Sequence, residues 1–264
     1  MMAPPVRTAA RPFRDLYYVR LATTGLGFLL FGVGGVLLGI VVVPLLLLVP
    51  GGSAARRLRV RRMIQLAFRF FASFMHHSGA ISFSVVGAER LGRPGQLIVA
   101  NHPSLIDIVL LIACTPAAGC VVKREAWSNP AMVIAVTGAG YVPNAPTDVM
   151  IERAAALLSA GECLIMFPEG TRTVPHAALH FHRGAASVAL RAARIVTPVF
   201  IRVEPPSLTK HMHWYQLPDP RAHFALRVGG DIDPAEFRRG PLPIASRAFN
   251  QYLAAIYAVE AAGS

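Results

Sequence analysis

The stretch LIVANHPSLIDIVLL, residues 97–111, passes from an unbroken apolar run through a polar turn into a second apolar run. Leu97 to Ala100 reads as a short strand buried on both faces. Pro103 then disfavours helix at the residue before it, so the chain must turn before a helix can start near Ser104 and run to Ala113. Outward from this stretch the same alternation repeats. Strands are expected at 81–87, 97–100, 120–122, 163–167, 197–203 and 223–229, and helices at 104–113, 127–137, 147–160, 184–194 and 244–260. Such alternation predicts an α/β domain, with a mostly parallel central sheet flanked by helices. Ligands in such domains gather at the carboxyl ends of the strands.

Upstream the composition changes. From Leu21 to Pro50 no residue is charged, a run longer than the roughly 20 apolar residues needed to cross a bilayer. It is too long and begins too late for a signal peptide. The fold class is therefore an α/β domain preceded by an N-terminal hydrophobic membrane-anchoring helical segment. Two arrangements suit that segment: one tilted span packed through its glycines, or two shorter helices dipping into one leaflet. Residues 54–77 follow as a basic amphipathic helix with Leu58, Met63, Leu66, Phe70 and Phe74 on its apolar stripe. Its arginines can meet lipid phosphate and the helix can pack on the domain, and the two are compatible. The expected organisation is a mobile basic terminus at 1–20, the anchor and amphipathic helix at 21–78, and the α/β domain at 79–264.

Lysine and arginine number 26 against 14 acidic residues, for a net charge of +12, with 54% hydrophobic and only 15% charged residues. That charge suits nucleic acid or an anionic lipid surface. The apolar content favours lipid, and no recognition motif or stacking platform supports nucleic acid. The three cysteines show no metal-like spacing. The histidines at 176, 180, 182, 211 and 213 have no carboxylate or cysteine at ligand spacing, so no metal is expected.

Two motifs carry chemistry. In the opening stretch His102 follows a strand, and a tight turn can bring Asp107 back to it. The carboxylate would fix the imidazole tautomer and leave the other nitrogen to take a proton from a hydroxyl. This is the His–Asp half of a triad in which the substrate brings the nucleophilic oxygen. Asn101 and Ser104, flanking the histidine, are candidate substrate-binding residues. The second motif is GECLIMFPEGTRT, residues 161–173, where a strand delivers Pro168, Glu169, Gly170, Thr171 and Arg172 at its carboxyl edge. Glycine permits close backbone approach, and arginine offers a fork for phosphate or carboxylate.

Together NHPSLID and FPEGTRT resemble the glycerophospholipid acyltransferase family, over roughly residues 80–230. The resemblance implies that His102 is the base and Asp107 its orienter. It implies that Glu169, Gly170, Thr171 and Arg172 help bind the acceptor. Val122-Lys123-Arg124-Glu125 matches the block whose lysine faces the acceptor head group, which adds Lys123 and Arg124 to the binding residues. No cofactor is implied beyond acyl-CoA or acyl carrier protein as co-substrate, and the expected partners are those donors and membrane lipids. A cytoplasm-facing site on the inner membrane follows from where acyl thioesters are found. One departure stands out. Phosphatidate-forming members carry a phosphate-holding arginine in the stretch that here reads Gly138 to Pro146, and this stretch has none. A phosphate there would forgo a contact of roughly 1.5–3 kcal/mol. The acceptor is thus open between lysophosphatidate and an ornithine-type lipid, a glycolipid or a lipid-linked polyene. A non-catalytic adaptor would carry a broken motif, and both motifs are intact. In VEPPSLTKHMHWYQL, residues 203–217, Lys210 lies near Trp214 and Tyr215, as a surface loop or as an interface contact.

Overall fold

In the computed structural model, residues 17–129, 132–144, 147–173 and 180–262 are described. Residues 1–16, His176 and Pro146 of the sequence reading lie outside them. The sheet has seven strands: β1 Ser82–Val86, β2 Gln96–Ala100, β3 Gly119–Lys123, β4 Val142–Asn144, β5 Leu164–Met166, β6 Ile195–Glu204 and β7 His223–Val228. Their order is β1-β7-β6-β2-β5-β3-β4. β2 to β6 run parallel, while β7 pairs antiparallel with β6 and carries β1 parallel to itself. The mostly parallel expectation holds. β4 was not expected from the sequence. It is a three-residue edge strand containing Pro143, too short for periodicity and tolerated only because an edge strand does not need every donor.

Central β2 is buried along its whole length and alternates between two cores. Ile98 and Ala100 face α3 (Ser53–His77) and α4 (Asp107–Cys114). Leu97 and Val99 face α6 (Thr147–Ser159), α7 (Gly184–Ala192) and α8 (Leu242–Ala262). α5 (Val133–Gly138) packs with α3. The helix expected at 127–137 is a 3₁₀ turn, Arg124–Trp127, followed by that short α5. The helix expected from residue 104 starts at Asp107, because the preceding turn is used by the site.

The apolar segment is one continuous helix, Tyr17–Leu48, and little of it is buried. α1 (Tyr17–Leu37) passes through a π segment, Leu38–Val42, into α2 (Val43–Leu48). The wider turn lets Pro44 follow without breaking the axis, since a proline lacks the N–H that α-helical pairing would need. No hairpin forms within residues 21–50. The chain reverses after Leu48, and α3 returns beside α1. Phe31 packs between Phe68 and Phe71, at ring separations of 5.8 and 5.3 Å. Gly27 lies so close to Met75 that a Cβ would meet its sulfur, whereas Gly32, Gly34 and Gly35 face open space.

α3 packs on the domain, one of the arrangements expected, but through a face shifted from the expected stripe: Leu58, Met63 and Phe74 are half-buried. Its buried face is Val60, Arg61, Ile64, Phe71, Ala72 and Met75, while Leu66 and Phe70 are exposed. Arg61 is fully buried. Its guanidinium donates to Glu162 Oε2 at 2.6 Å and to Ala139 O at 2.8 Å, and Arg57 reaches Glu162 Oε1 at 2.6 Å. Arg59 closes the reversal on the carbonyls of Val49 and Pro50. Arg57 and Arg61 thus dock the hairpin onto the domain, Arg59 closes its reversal, and Arg56 and Arg62 are exposed.

Removing one partner of a buried ion pair strands the other, at about 3–5 kcal/mol. Arg61→Ala should lower stability by that order in a detergent-solubilised unfolding titration. Arg61→Met combined with Glu162→Gln should recover most of the loss.

Candidate active site

β2 leaves the sheet at Ala100, and its neighbour β6 is stitched to it there by side chains. The buried Tyr257 hydroxyl donates to Val99 O at 2.6 Å and accepts from Val199 N at 3.2 Å. Asn101 then acts as a surrogate strand residue. Its amide donates to Ile201 O at 2.7 Å and accepts from Ile201 N at 2.8 Å. These bonds hold the strand end while the chain turns out at His102.

The turn brings Asp107 back as expected. His102 Nδ1 lies 3.0 Å from Asp107 Oδ2, an acceptor that places the proton on Nδ1. The same oxygen accepts the Ser104 N–H at 2.5 Å. Among the described residues no group bonds His102 Nε2, the side chain is 19% exposed, and the Phe167 ring lies tilted against the imidazole at 4.5 Å. Asp107 is fully buried. Burial pushes its carboxyl up from the ordinary value, opposed by the bonds from His102 and Ser104 and by the charge of Arg172.

The loop after β5 grips the histidine from the other side. Glu169 Oε1 accepts the His102 N–H at 3.2 Å, and Thr173 N–H donates to the His102 carbonyl at 2.7 Å. Glu169 Oε2 also accepts from the Thr173 hydroxyl. Gly170 bends this loop at φ +66°, a backbone conformation that side chains resist. Glu169 is buried, and desolvation raises its carboxyl above the usual range. Arg172 Nη1 donates to the carbonyls of Leu208 and Thr209, each at 3.0 Å.

The structure thus unites His102 with Asp107, and Glu169 and Arg172 with the turn that carries them. Ser104, expected to bind substrate, instead holds the turn. It is buried, and its hydroxyl donates to Ser207 O at 2.8 Å. Thr171 is half-buried on the same loop. Lys123 and Arg124 are exposed at the end of β3, with β5 between them and β2. Sequence reasoning passed over Tyr257, Phe167 and Ser207. Nothing local marks them, since each acts on a segment distant in the chain.

Residues 82–202 match the family model described as Acyltransferase. A lyso-ornithine lipid O-acyltransferase from Pseudomonas aeruginosa is 33% identical over 126 residues, 46% of this chain and 48% of that protein. A 1-acyl-sn-glycerol-3-phosphate acyltransferase from Chlamydomonas reinhardtii is 28% identical over 123 residues, 44% of this chain and 37% of that protein. The matches thus span about half or less of these relatives' lengths. The crystal structure of the 1-acyl-sn-glycerophosphate acyltransferase from Thermotoga maritima superposes with a TM-score of 0.65. It is 21% identical and covers 91% of this chain and 98% of that one, so the fold is shared. Fold and motif region define an acyltransferase-type α/β domain. Together these likenesses support a place for the region 82–202 among the glycerophospholipid acyltransferases.

Replacing Asp107 separates activity from stability. Its raised value means that the folded chain holds the proton more tightly than the unfolded one. Stability is therefore lost as pH rises from the ordinary carboxylate range through the folded value. Asp107→Asn should melt no lower than the parent at neutral pH, and its relative advantage should shrink on acidification. Turnover should fall by roughly 10²–10⁴, because the tautomer is no longer held. Thermal melts and initial rates across a pH series check both outcomes.

Proposed function

We propose that this chain is a membrane-associated O-acyltransferase that moves a fatty acyl group from acyl-CoA or acyl carrier protein to a hydroxyl of a lysolipid acceptor. The observation that carries this is the His102–Asp107 pair, with Nε2 unbonded by any described group and the histidine backbone held at both ends. His102 Nε2 takes the acceptor's hydroxyl proton. The oxygen attacks the thioester carbonyl, the C–S bond breaks, and the histidine returns the proton to the leaving thiol. The acceptor itself supplies the nucleophile, so no acyl-enzyme forms.

The amides of Ser104 and Leu105 are committed to Asp107 and to Leu208 O, so the developing oxyanion must draw on other donors. Arg172 brings positive charge to this edge and a guanidinium fork for the acceptor. Lys123 and Arg124 lie at the same edge of the sheet, where they meet the head group. Helix Tyr17–Leu48, apolar and largely unburied, holds the enzyme on the membrane that carries its acceptor. We place it at the cytoplasmic membrane with the site facing the cytoplasm, where acyl thioesters are made.

Two acceptors compete. Lysophosphatidate is the substrate named for the algal relative. A lyso-ornithine lipid is favoured by the bacterial relative's name and by the absence of arginine from residues 138–146. Purified protein in lipid nanodiscs, given labelled acyl-CoA or acyl carrier protein, should acylate one of them. In His102→Ala transfer should fall by at least about 10³-fold, with membrane association unchanged. A variant retaining a large share of activity would overturn the assignment of His102.

A further inference from the structure

The segment from Pro205 to Pro218 has no helix or strand, yet it touches both the catalytic turn and the membrane helix. At its start it is bonded to the site. Ser104 Oγ donates to Ser207 O at 2.8 Å, Leu105 N to Leu208 O at 3.0 Å, and Arg172 Nη1 to the carbonyls of Leu208 and Thr209. Leu208 supplies two of these contacts from a left-handed backbone, φ +52°, which a branched side chain resists. Ser207, Leu208 and Thr209 are all buried.

At its other end the segment lies on the first turns of α1. The Trp214 ring is 6.0 Å from that of Phe28, and its indole lies against Gly25, where an added Cβ would come within 3.3 Å of Cζ3. The Arg20 guanidinium donates to Pro218 O at 2.6 Å, and the Tyr17 hydroxyl donates to Tyr215 O at 3.4 Å. Tyr18, Trp214 and Tyr215 are exposed here, the residue types that settle at headgroup depth. A group of aromatics on α1 is therefore joined, through one strap, to the carbonyls that hold Leu105, Ser104 and Arg172.

We propose that residues 205–218 form a strap that transmits the seating of α1 in a lipid surface to the catalytic turn, with Trp214 as its positioning residue. This rests on the acyltransfer reading only for its kinetic consequence. When α1 and the aromatics sit at the headgroup layer, Trp214 is held between helix and lipid. The strap then keeps Leu208 and Thr209 against the turn and Arg172. Off the surface, the half-exposed indole is held from one side alone.

Hydrogen exchange and kinetics test this separately, on the full chain. The Leu105 amide, which donates to Leu208, should exchange several-fold more slowly when lipid vesicles are added to the detergent-free protein. Trp214→Ala should abolish that slowing and Trp214→Phe should restore it. Gly25→Leu, which pushes the indole away from the helix side, should act like Trp214→Ala. In vesicles, Trp214→Ala should lower kcat about tenfold with the KM for acyl-CoA unchanged, and Phe should rescue it. Leu105 exchange that ignores both vesicles and Trp214→Ala would overturn the strap, whatever the activity. Protected Leu105 with no transfer in the parent would instead overturn the acyltransfer reading and leave the strap standing.

Discussion

The His102 backbone is bonded at both of its polar groups by the loop that follows a different strand. Its N–H meets the Glu169 carboxylate, and its carbonyl meets the Thr173 N–H. A histidine at the end of a strand is otherwise free to swing with its turn. Here two bonds to β5's loop, and one that the ring donates to Asp107, leave it little freedom. The arrangement works only because β2 and β5 are parallel neighbours, so both loops emerge at the same edge of the sheet. The cost is two buried carboxylates beside one imidazole. Each is driven toward its neutral form by burial and drawn back by hydrogen bonds.

The same edge explains why the β2–β6 seam uses side chains. Backbone pairing carried to its end would keep residue 101 in the sheet. Tyr257 from α8 and Asn101 itself supply the donors and acceptors that the strands leave open. Buried backbone groups must be satisfied, and satisfying them with side chains frees the next residue to leave the plane. Asn101 and Ser104 therefore serve the site by shaping it: their polar groups are bonded to backbone carbonyls and amides. Glu169 and Arg172 do so in part, and Arg172 keeps charge available at the edge.

The N-terminal hairpin shows how tertiary contacts reassign a sequence pattern. Basic residues on a helix beside an apolar segment suggest contact with lipid phosphate. In α3 three of them turn inward instead. Arg61 and Arg57 converge on Glu162, and Arg59 closes the reversal. A buried guanidinium with carboxylate and carbonyl partners fixes orientation more than it adds stability. It ties α3, and with it the packed α1, to the domain through Ala139 and Glu162.

The sequence by itself determined the α/β class, all the strands except the proline-containing edge strand, the presence of an apolar helical segment though not its single continuous course, and the pairing of His102 with Asp107. Each of these rests on local signals: apolar periodicity, proline and glycine punctuation, and the short reach of a five-residue turn. Which face of α3 is buried, the roles of Asn101, Ser104 and Glu169 in holding the turn, and the convergence of Tyr257 and the 205–218 strap on one edge were decided only by the tertiary structure. Those are contacts between segments far apart in the chain. A hydroxyl or carboxylate looks the same in sequence whether it will meet a substrate or a distant backbone amide, and only strand order settles which of the two lies within reach.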